Sequence, residues 1–512
     1  MATAASLMGD GRHWGRALFV IIIGAFMAIL DTSIVNIAIS TLESEFSVST
    51  SQVQWVVTVY LLALGVVVPM AAYLGDRFGL KRVYLAALTI FTIGSALSGL
   101  SWSLGALIFF RILQALGGGL IMPVTMSMLY QMVPRDRIGT AMGIWGLTLL
   151  FAPALGPTLG GYLVQFITWR LIFYINVPIG ILGILLGIAY VPDFPVRKGA
   201  RFDPVGFVLV AAGLFGLLLA LSEGQTWGWS SETIVLLLVG SGFLLLLFTE
   251  WELTIPHPLL NLRVFRYGSF TLSNLLSIII TMGLFSGVFY VPLFLQTVAG
   301  YGAFRTGLIL MPGALASGLM MPIAGRIYDK IGVRLLGTVG LLLLGYTTYL
   351  LHNLSPTTPA GTVTWWMVWR GFGMGMTMMP IMTAGMSPIP TLEVGSASAI
   401  NNIIQRVAGS FGLAALTAVL DRRVAAHTVN LASPWTPVNP AAQHLLVLFH
   451  HLPQGLTLLG GYIQGEAFVF GIDDVFVLMA ALTVTAAVLT PFLRTVRHPP
   501  GPGGGRRVIV SD

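Results

Sequence analysis

The chain is divided into apolar runs of about 20 residues, the length a helix needs to cross the hydrocarbon core of a bilayer. They fall at about 17–40, 51–73, 83–101, 105–131, 138–163, 171–191, 205–222, 232–252, 270–297, 306–328, 335–353, 362–387, 396–420 and 473–493, fourteen in all. In hydrocarbon every backbone N–H and C=O must be satisfied within the protein, so recurring runs of this length point to a helical bundle. Composition agrees, with 56% hydrophobic and only 9% charged residues, where soluble domains carry roughly 25% charged. The fold class expected is an all-α polytopic membrane protein. There is no Cys, so neither disulfides nor Cys-ligated metals hold it together. No metal site is expected.

The N-terminus carries Arg12 and Arg16 ahead of an apolar run. That run is long enough to span, contains Asp31 and Asn36, and lacks a small-residue cleavage site, so it reads as a first transmembrane helix and not a signal peptide. Fourteen spans put alternate connections on opposite sides. Four basic residues, Arg170, Arg305, Arg422 and Arg423, then fall on one side, and Arg111, Arg370 and Arg406 lie within segments. The other nineteen of the 26 fall on the opposite side. The positive-inside rule makes that side cytoplasmic and places both termini there. A pI of 9.7 would suit nucleic acid, but the basic residues are scattered between apolar segments and form no patch or stripe, so no nucleic-acid partner is expected.

An internal repeat is visible. Asp76, Arg77, Gly79, Lys81 and Arg82 follow the second segment, and Asp329, Lys330, Gly332 and Arg334 follow the tenth. Arg111 in the fourth segment is echoed by Arg370 in the twelfth, each followed by Gly and then Pro. Two six-helix halves (1–191 and 261–512) separated by a linker with two extra helices (192–260) give this spacing, and parallel halves around a midplane site are a recurring carrier architecture. One connection, 422–472, is long, poor in charge and extracytoplasmic by parity. Its apolar patches, such as Leu445–Phe449, suit contact with a protein or the membrane surface, the alternative being a disordered loop.

Ala152–Gly161 packs Pro153, Gly156, Pro157, Gly160 and Gly161 into one apolar segment. Such content breaks a soluble helix. In a membrane, neighbouring helices re-satisfy the freed backbone groups and the small residues allow close approach. The stretch reads as a kinked helix against a partner, serving either as a hinge or as a packing kink.

Together these residues resemble the major facilitator superfamily. Asp76-Arg77-x-Gly79-x-Lys81-Arg82, Arg111-x-x-Gln114 and Gly156-Pro157-x-x-Gly160-Gly161 carry the likeness. Ile29–Ala38 and Trp169–Gly180 are similar to the fourteen-helix drug:proton antiporters, and Trp251-Glu252-Leu253, Ala397–Gly412 and the long loop to their EmrB branch. Ala72, Leu80 and Ala115 depart from the usual pattern; Leu80 stands where a basic residue is common, which would loosen a cytoplasmic latch. The resemblance implies the major facilitator fold, with two six-helix bundles plus two inserted helices. It implies a bacterial cytoplasmic-membrane exporter of amphipathic compounds, driven by inward protons and needing no cofactor. It also implies an adaptor of the membrane-fusion type across a periplasm, contacting loop 422–472.

Asp31 lies midway along the first helix, where an ionisable group is functional by default, the alternative being a hydrogen-bonding structural role. Arg111 needs a partner unless it snorkels to an interface. Asp31 is the partner expected, with Gln114 on the same face. By resemblance these three handle the proton. Asp76, Arg77, Gly79 and Arg82, with Asp329, Lys330, Gly332 and Arg334, form conformational latches, and Pro153, Gly156, Pro157, Gly160 and Gly161 the antiporter hinge. Asn36, Asn274, Gln296, Asn401, Asn402, Gln405 and Arg406 could line a cavity with Met376, Met378 and Met382, since Met adapts to varied apolar ligands. The alternative is that these Met residues are core or lipid-facing.

Other functions have less support. Uptake of a nutrient fits the Gly156-Pro157 element poorly; export of a lipid or a cell-made metabolite stays open. No His-Glu-x-x-His occurs, Ala408–Gly412 lacks the strand-turn-helix setting of a nucleophile elbow, and no Walker-type phosphate loop is present. A membrane enzyme and an ATP-driven pump are therefore disfavoured, and a channel lacks a filter-like repeat.

Overall fold

A computed structural model of the chain describes residues 14–197, 199, 201–433, 435 and 455–494. Fourteen long helical segments order these residues. The first six are α1 (Trp14–Phe46), α2 (Thr50–Val67, followed by a shorter helix Met70–Phe78), α3 (Leu80–Gly99), α4 (Leu104–Met132), α5 (Ile138–Phe166) and α6 (Leu171–Tyr190). Two further helices are α7 (Pro204–Trp227) and α8 (Glu232–Thr254). The last six are α9 (Gly268–Thr297), α10 (Ala303–Ile331), α11 (Val333–Leu350), α12 (Ala360–Met386), α13 (Val394–Ala432) and α14 (Gly455–Leu489). Thirteen helices among the described residues are long and apolar enough to cross a membrane. The exception is α12, whose 27 residues draw much of their bulk from Trp, Met and Gly, side chains of modest hydropathy. The protein is a multi-pass, all-helical membrane protein.

The two sets of six helices repeat one packing scheme. Within the first, α1 packs on α4, α5 and α6, while α4 packs on α2 and α3, and α3 on α6. Within the last, α9 packs on α12, α13 and α14, while α12 packs on α10 and α11, and α11 on α14. The sets meet through α5 against α10 and α12, and through α13 against α4 and helix Met70–Phe78. Helix α7 lies beside both, touching α2 and α13.

Small residues make the α5–α10 contact possible. A Cβ at Gly139 would run into the Gly325 carbonyl, and one at Gly143 into that of Met321. The two backbones therefore approach as closely as Gly alone permits. The main hydrophobic core crosses this junction, joining Met126, Met142 and Trp145 to Met321, Met379 and Ile400. Away from it the cores separate. Ile34, Leu42, Val53, Leu107, Trp169 and Phe173 form a cluster within the first set alone, and Tyr290, Phe294, Leu351, Val363, Leu416 and Phe476 one within the last. The two sets are joined at the end carrying Asp76 and Asp329 and have separate cores at the other.

The helical ends differ from the expected segments. Helix α13 runs to Ala432 and α14 begins at Gly455, so much of 422–472 is helix and not loop. The patch Leu445–Phe449 lies outside the described residues, as do Arg12, residues 1–13 and 495–512.

Candidate functional site

Asp31 is fully buried on α1, and Arg111 (1% exposed) reaches it from α4. Arg111 Nη1 lies 2.5 Å from Asp31 Oδ2. Gln114, one turn further along α4, bridges the pair: Arg111 Nη1 donates to its Oε1 at 2.7 Å and its Nε2 donates to Asp31 Oδ1 at 2.8 Å. Asn176 of α6 donates to the same Oδ1 at 3.0 Å and to Ser95 Oγ of α3 at 3.0 Å. Arg111 Nε donates to the Val56 carbonyl at 3.3 Å, and its guanidinium lies 3.7 Å from the centre of the Tyr60 ring. Five helices thus converge on one ion pair. Burying either charge alone is costly, and mutual pairing together with this set of hydrogen bonds makes the pair tolerable. Protonation of Asp31 would break the strongest attraction and leave Arg111 to Gln114, Val56 and the Tyr60 face.

Asn176, Ser95 and Tyr60 were not singled out from sequence. Asn176 lies inside the Trp169–Gly180 motif, and a lone amide in an apolar run was the available signal. Which way each of these polar groups faces depends on helix rotation, which the sequence does not fix.

The two repeated turns differ in what they hold. Gly79 and Gly332 both adopt positive φ (87° and 83°), a conformation that Gly reaches without strain. Asp329 caps the start of α5: its carboxylate accepts from Gly139 N at 2.8 Å, Thr140 N at 2.9 Å and Thr140 Oγ1 at 2.6 Å. A carboxylate at a helix N-terminus satisfies orphan donors and complements the dipole. Asp76 does not do the same for α13, although Gly395 of that helix approaches Ala72. Its carbonyl accepts from Arg197 N at 2.8 Å and its carboxylate lies 3.7 Å from Arg197 Nη1. In this turn beyond the span Thr50–Val67, burial pushes the Asp76 carboxyl above its usual range, and Arg197 opposes the rise. Arg334 Nε donates to the Leu493 carbonyl at 3.3 Å; Arg77, Arg82 and Lys330 are exposed.

In α5 the helix runs through Pro153 and Pro157 without interruption. Pro157 has no N–H to offer the carbonyl four residues earlier, and Ser33 Oγ of α1 donates to that Pro153 carbonyl at 3.1 Å. Gly156 abuts Ser33 and Gly160 abuts Ile34, whereas Gly161 faces open space. The Pro157 side chain lies outside the described set.

The proposed cavity residues separate into groups. Gln405 Nε2 donates to Asn401 Oδ1 at 2.7 Å, and Asn401 Nδ2 lies 3.4 Å from Asn274 Oδ1. Gln405 also lies 3.3 Å from Met382 sulfur. Asn402 donates to the Ser398 carbonyl at 2.8 Å and faces Met126 across the junction. Arg406 on the same helix has a buried, unpartnered Nε among the described residues. Asn36, in the 3-10 turn Val35–Ala38 within α1, and Gln296, near the end of α9, are exposed, and Met376 packs on Gly340 of α11. Separately, a cleft of about 460 Å³ lies between α7, α8, α9 and α13, lined by apolar side chains including Leu214, Phe248, Phe265 and Ile404.

A bundle of two like-packed six-helix sets, with a buried ion pair in one and a capped junction between them, defines a membrane carrier. The profile of the Major Facilitator Superfamily matches residues 21–413, and the chain belongs to that superfamily. It is 34% identical to the uncharacterized MFS-type transporter YhcA of Bacillus subtilis, covering 94% of this chain and 93% of that one. It is 30% identical to the multidrug export protein EmrB of Escherichia coli over 94% of this chain and 95% of that protein. Its fold is similar to that of the proton:xylose symporter XylE bound to 6-bromo-6-deoxy-D-glucose, with a TM-score of 0.59 at 14% identity, covering 92% of this chain and 94% of that one.

Proposed function

We propose that this transporter is a secondary multidrug exporter, moving amphipathic compounds out of the cell in exchange for protons moving in, by alternating access. The observation that carries the reading is the Asp31–Arg111–Gln114–Asn176 network. Asp31 takes up a proton from the outside, the ion pair with Arg111 weakens, and the helices that converge on it are freed to shift. The proton leaves when the site opens to the cytoplasm and Arg111 reclaims the carboxylate. The likeness to the multidrug export protein EmrB supports drug-like cargo. The Asn401–Gln405 face with Met382 supplies adaptable contacts for it.

The basic end, with Asp76 and Asp329, is the cytoplasmic one in this reading, and both termini lie there. The protein sits in a bacterial cytoplasmic membrane, draws on the proton gradient and needs no cofactor. Its two six-helix sets move as halves about α5 and α13, with α7 and α8 inserted between. A membrane-fusion adaptor would meet the segment 422–472 at the other face.

The test uses purified protein in liposomes holding a pH-sensitive dye, with no gradient imposed and ethidium added. Drug-driven proton movement in wild type and its loss in Asp31→Asn are expected. Equal proton movement in the variant would remove Asp31 from the proton path; no movement in either protein across a compound panel would remove proton-coupled drug export.

A further inference from the structure

Arg370 is the counterpart of Arg111 in the last six helices, on α12 where Arg111 is on α4. It is as deeply buried, at 4% exposure. Its surroundings differ in the one feature that makes the first site tolerable. Arg111 has a carboxylate at 2.5 Å; Arg370 has no ion pair among the described residues. Its Nη2 donates to the Gly283 carbonyl and lies 3.3 Å from Ser286 Oγ, while Nε is buried with no hydrogen-bond partner among them. Where Arg111 meets the Asp31 carboxylate on α1, Arg370 thus meets a hydroxyl on α9.

A second, independent feature marks the place. Opposite Arg370, α9 departs from α-helical geometry into a π-helical turn, Ser286–Tyr290. The turn holds Gly287, where a Cβ would run into the guanidinium. π-turns loosen the backbone ladder and cluster at functional sites. A buried guanidinium with an open Nε and no counter-charge is a costly arrangement at membrane depth. Its planar fork is shaped for a carboxylate or another small anion.

We propose that Arg370, Ser286 and the π-turn of α9 form a site for a small monovalent anion, a halide or the carboxylate of a solute, which supplies the charge that Asp31 supplies to Arg111. The anion sits against the unpartnered Nε; the Ser286 hydroxyl, which donates to the Gly283 carbonyl at 2.7 Å, joins it by turning its proton from that carbonyl to the anion. The small size follows from the tight approach of Gly287. The inference does not depend on proton coupling or on the identity of the exported compound.

The experiment is thermal unfolding of the full-length detergent-solubilised protein at constant ionic strength in three sodium salts: chloride, acetate, and the bulky 2-(N-morpholino)ethanesulfonate. Wild type is expected to melt higher in chloride or acetate than in the bulky salt, by on the order of 2 °C. A response to chloride alone identifies a halide, and one to acetate a carboxylate. Ser286→Asp, which builds the missing counter-charge into the chain, should melt alike in all three, as should Arg370→Gln, which removes the cation. One of the two variants suffices if the other fails to fold. Equal melting of wild type in the three salts would overturn the proposal and leave the Gly283 carbonyl and the Ser286 hydroxyl as the compensation for Arg370. An anion response that survives in a folded variant would overturn it also, by placing the effect elsewhere.

Discussion

Asp31 and Arg111 are each tolerable at membrane depth because of the other, and this makes their substitutions unequal. Arg111→Gln leaves a buried carboxylate without its cation, a loss on the order of 3–5 kcal/mol for broken buried pairs. Asp31→Asn keeps an acceptor for Gln114 and Asn176 but leaves Arg111 without a counter-charge; the Tyr60 ring at 3.7 Å offsets part of that loss. The variant Arg111→Gln should therefore lower the melting temperature more than Asp31→Asn, and the double variant should recover much of the difference, since it leaves neither charge alone. Melting curves in one detergent decide this; equal losses for both single variants would show that the pair is held by its neighbours and not by mutual attraction. The pairing itself could be anticipated, because two ionisable residues in apolar runs must be paired or exposed. The part played by Ser95, Asn176 and Tyr60 could not, since a single polar residue in a run of Leu and Ile does not say which side of the helix meets its neighbours. Asn36, Gln296 and Met376 mark the same limit: their residue types suit a cavity, and which way each faces depends on helix rotation.

At the scale of the helix, α5 shows how an apolar segment tolerates proline. The Pro153 carbonyl, freed by the missing N–H of Pro157, is taken up by Ser33. Ser33→Ala should cost about 1 kcal/mol where a buried acceptor loses its donor. In a Pro157→Ala background the helix supplies its own N–H, and the same change should cost close to nothing. A double-mutant cycle read by thermal unfolding measures this difference, and equal costs in both backgrounds would disprove the role of Ser33. The fourteen helices themselves are legible as apolar runs, because spanning length is set by the bilayer and leaves little freedom. Their ends are less so. Helix α13 has 39 residues and is about 58 Å long at 1.5 Å per residue, nearly twice the hydrocarbon thickness. Beyond Leu420 its residues include Asp421, Arg422 and Arg423, and charge there ends the apolar run without ending the helix.

For the whole molecule, the two halves pack alike but are latched unequally. Asp329 holds three donors at the start of α5, whereas Asp76 turns to Arg197 and leaves α13 uncapped by a side chain. Asp329→Ala should weaken closure at the basic end by about 1–2 kcal/mol, the scale of a lost helix cap, and raise the population open at that end roughly 5- to 30-fold. Asp76→Ala should leave that population nearly unchanged. The chain contains no Cys, so spin labels placed at chosen pairs across the α5–α10 junction report the distance directly. A distance distribution unmoved by Asp329→Ala would show that the Gly139–Gly325 backbone approach, and not the cap, holds the junction shut.

The contrast between the joined basic end and the separate cores at the other has a kinetic consequence in the proposed cycle. A machine with two gates of equal strength idles half its time in each position, and either step can set its pace. Here the basic end is bolted by a carboxylate and a row of glycines, and the described residues at the other end keep separate cores. Under the proposed alternating access, the empty carrier dwells with its doorway away from the basic end, and throughput at saturating cargo is set by how often the bolt slides back.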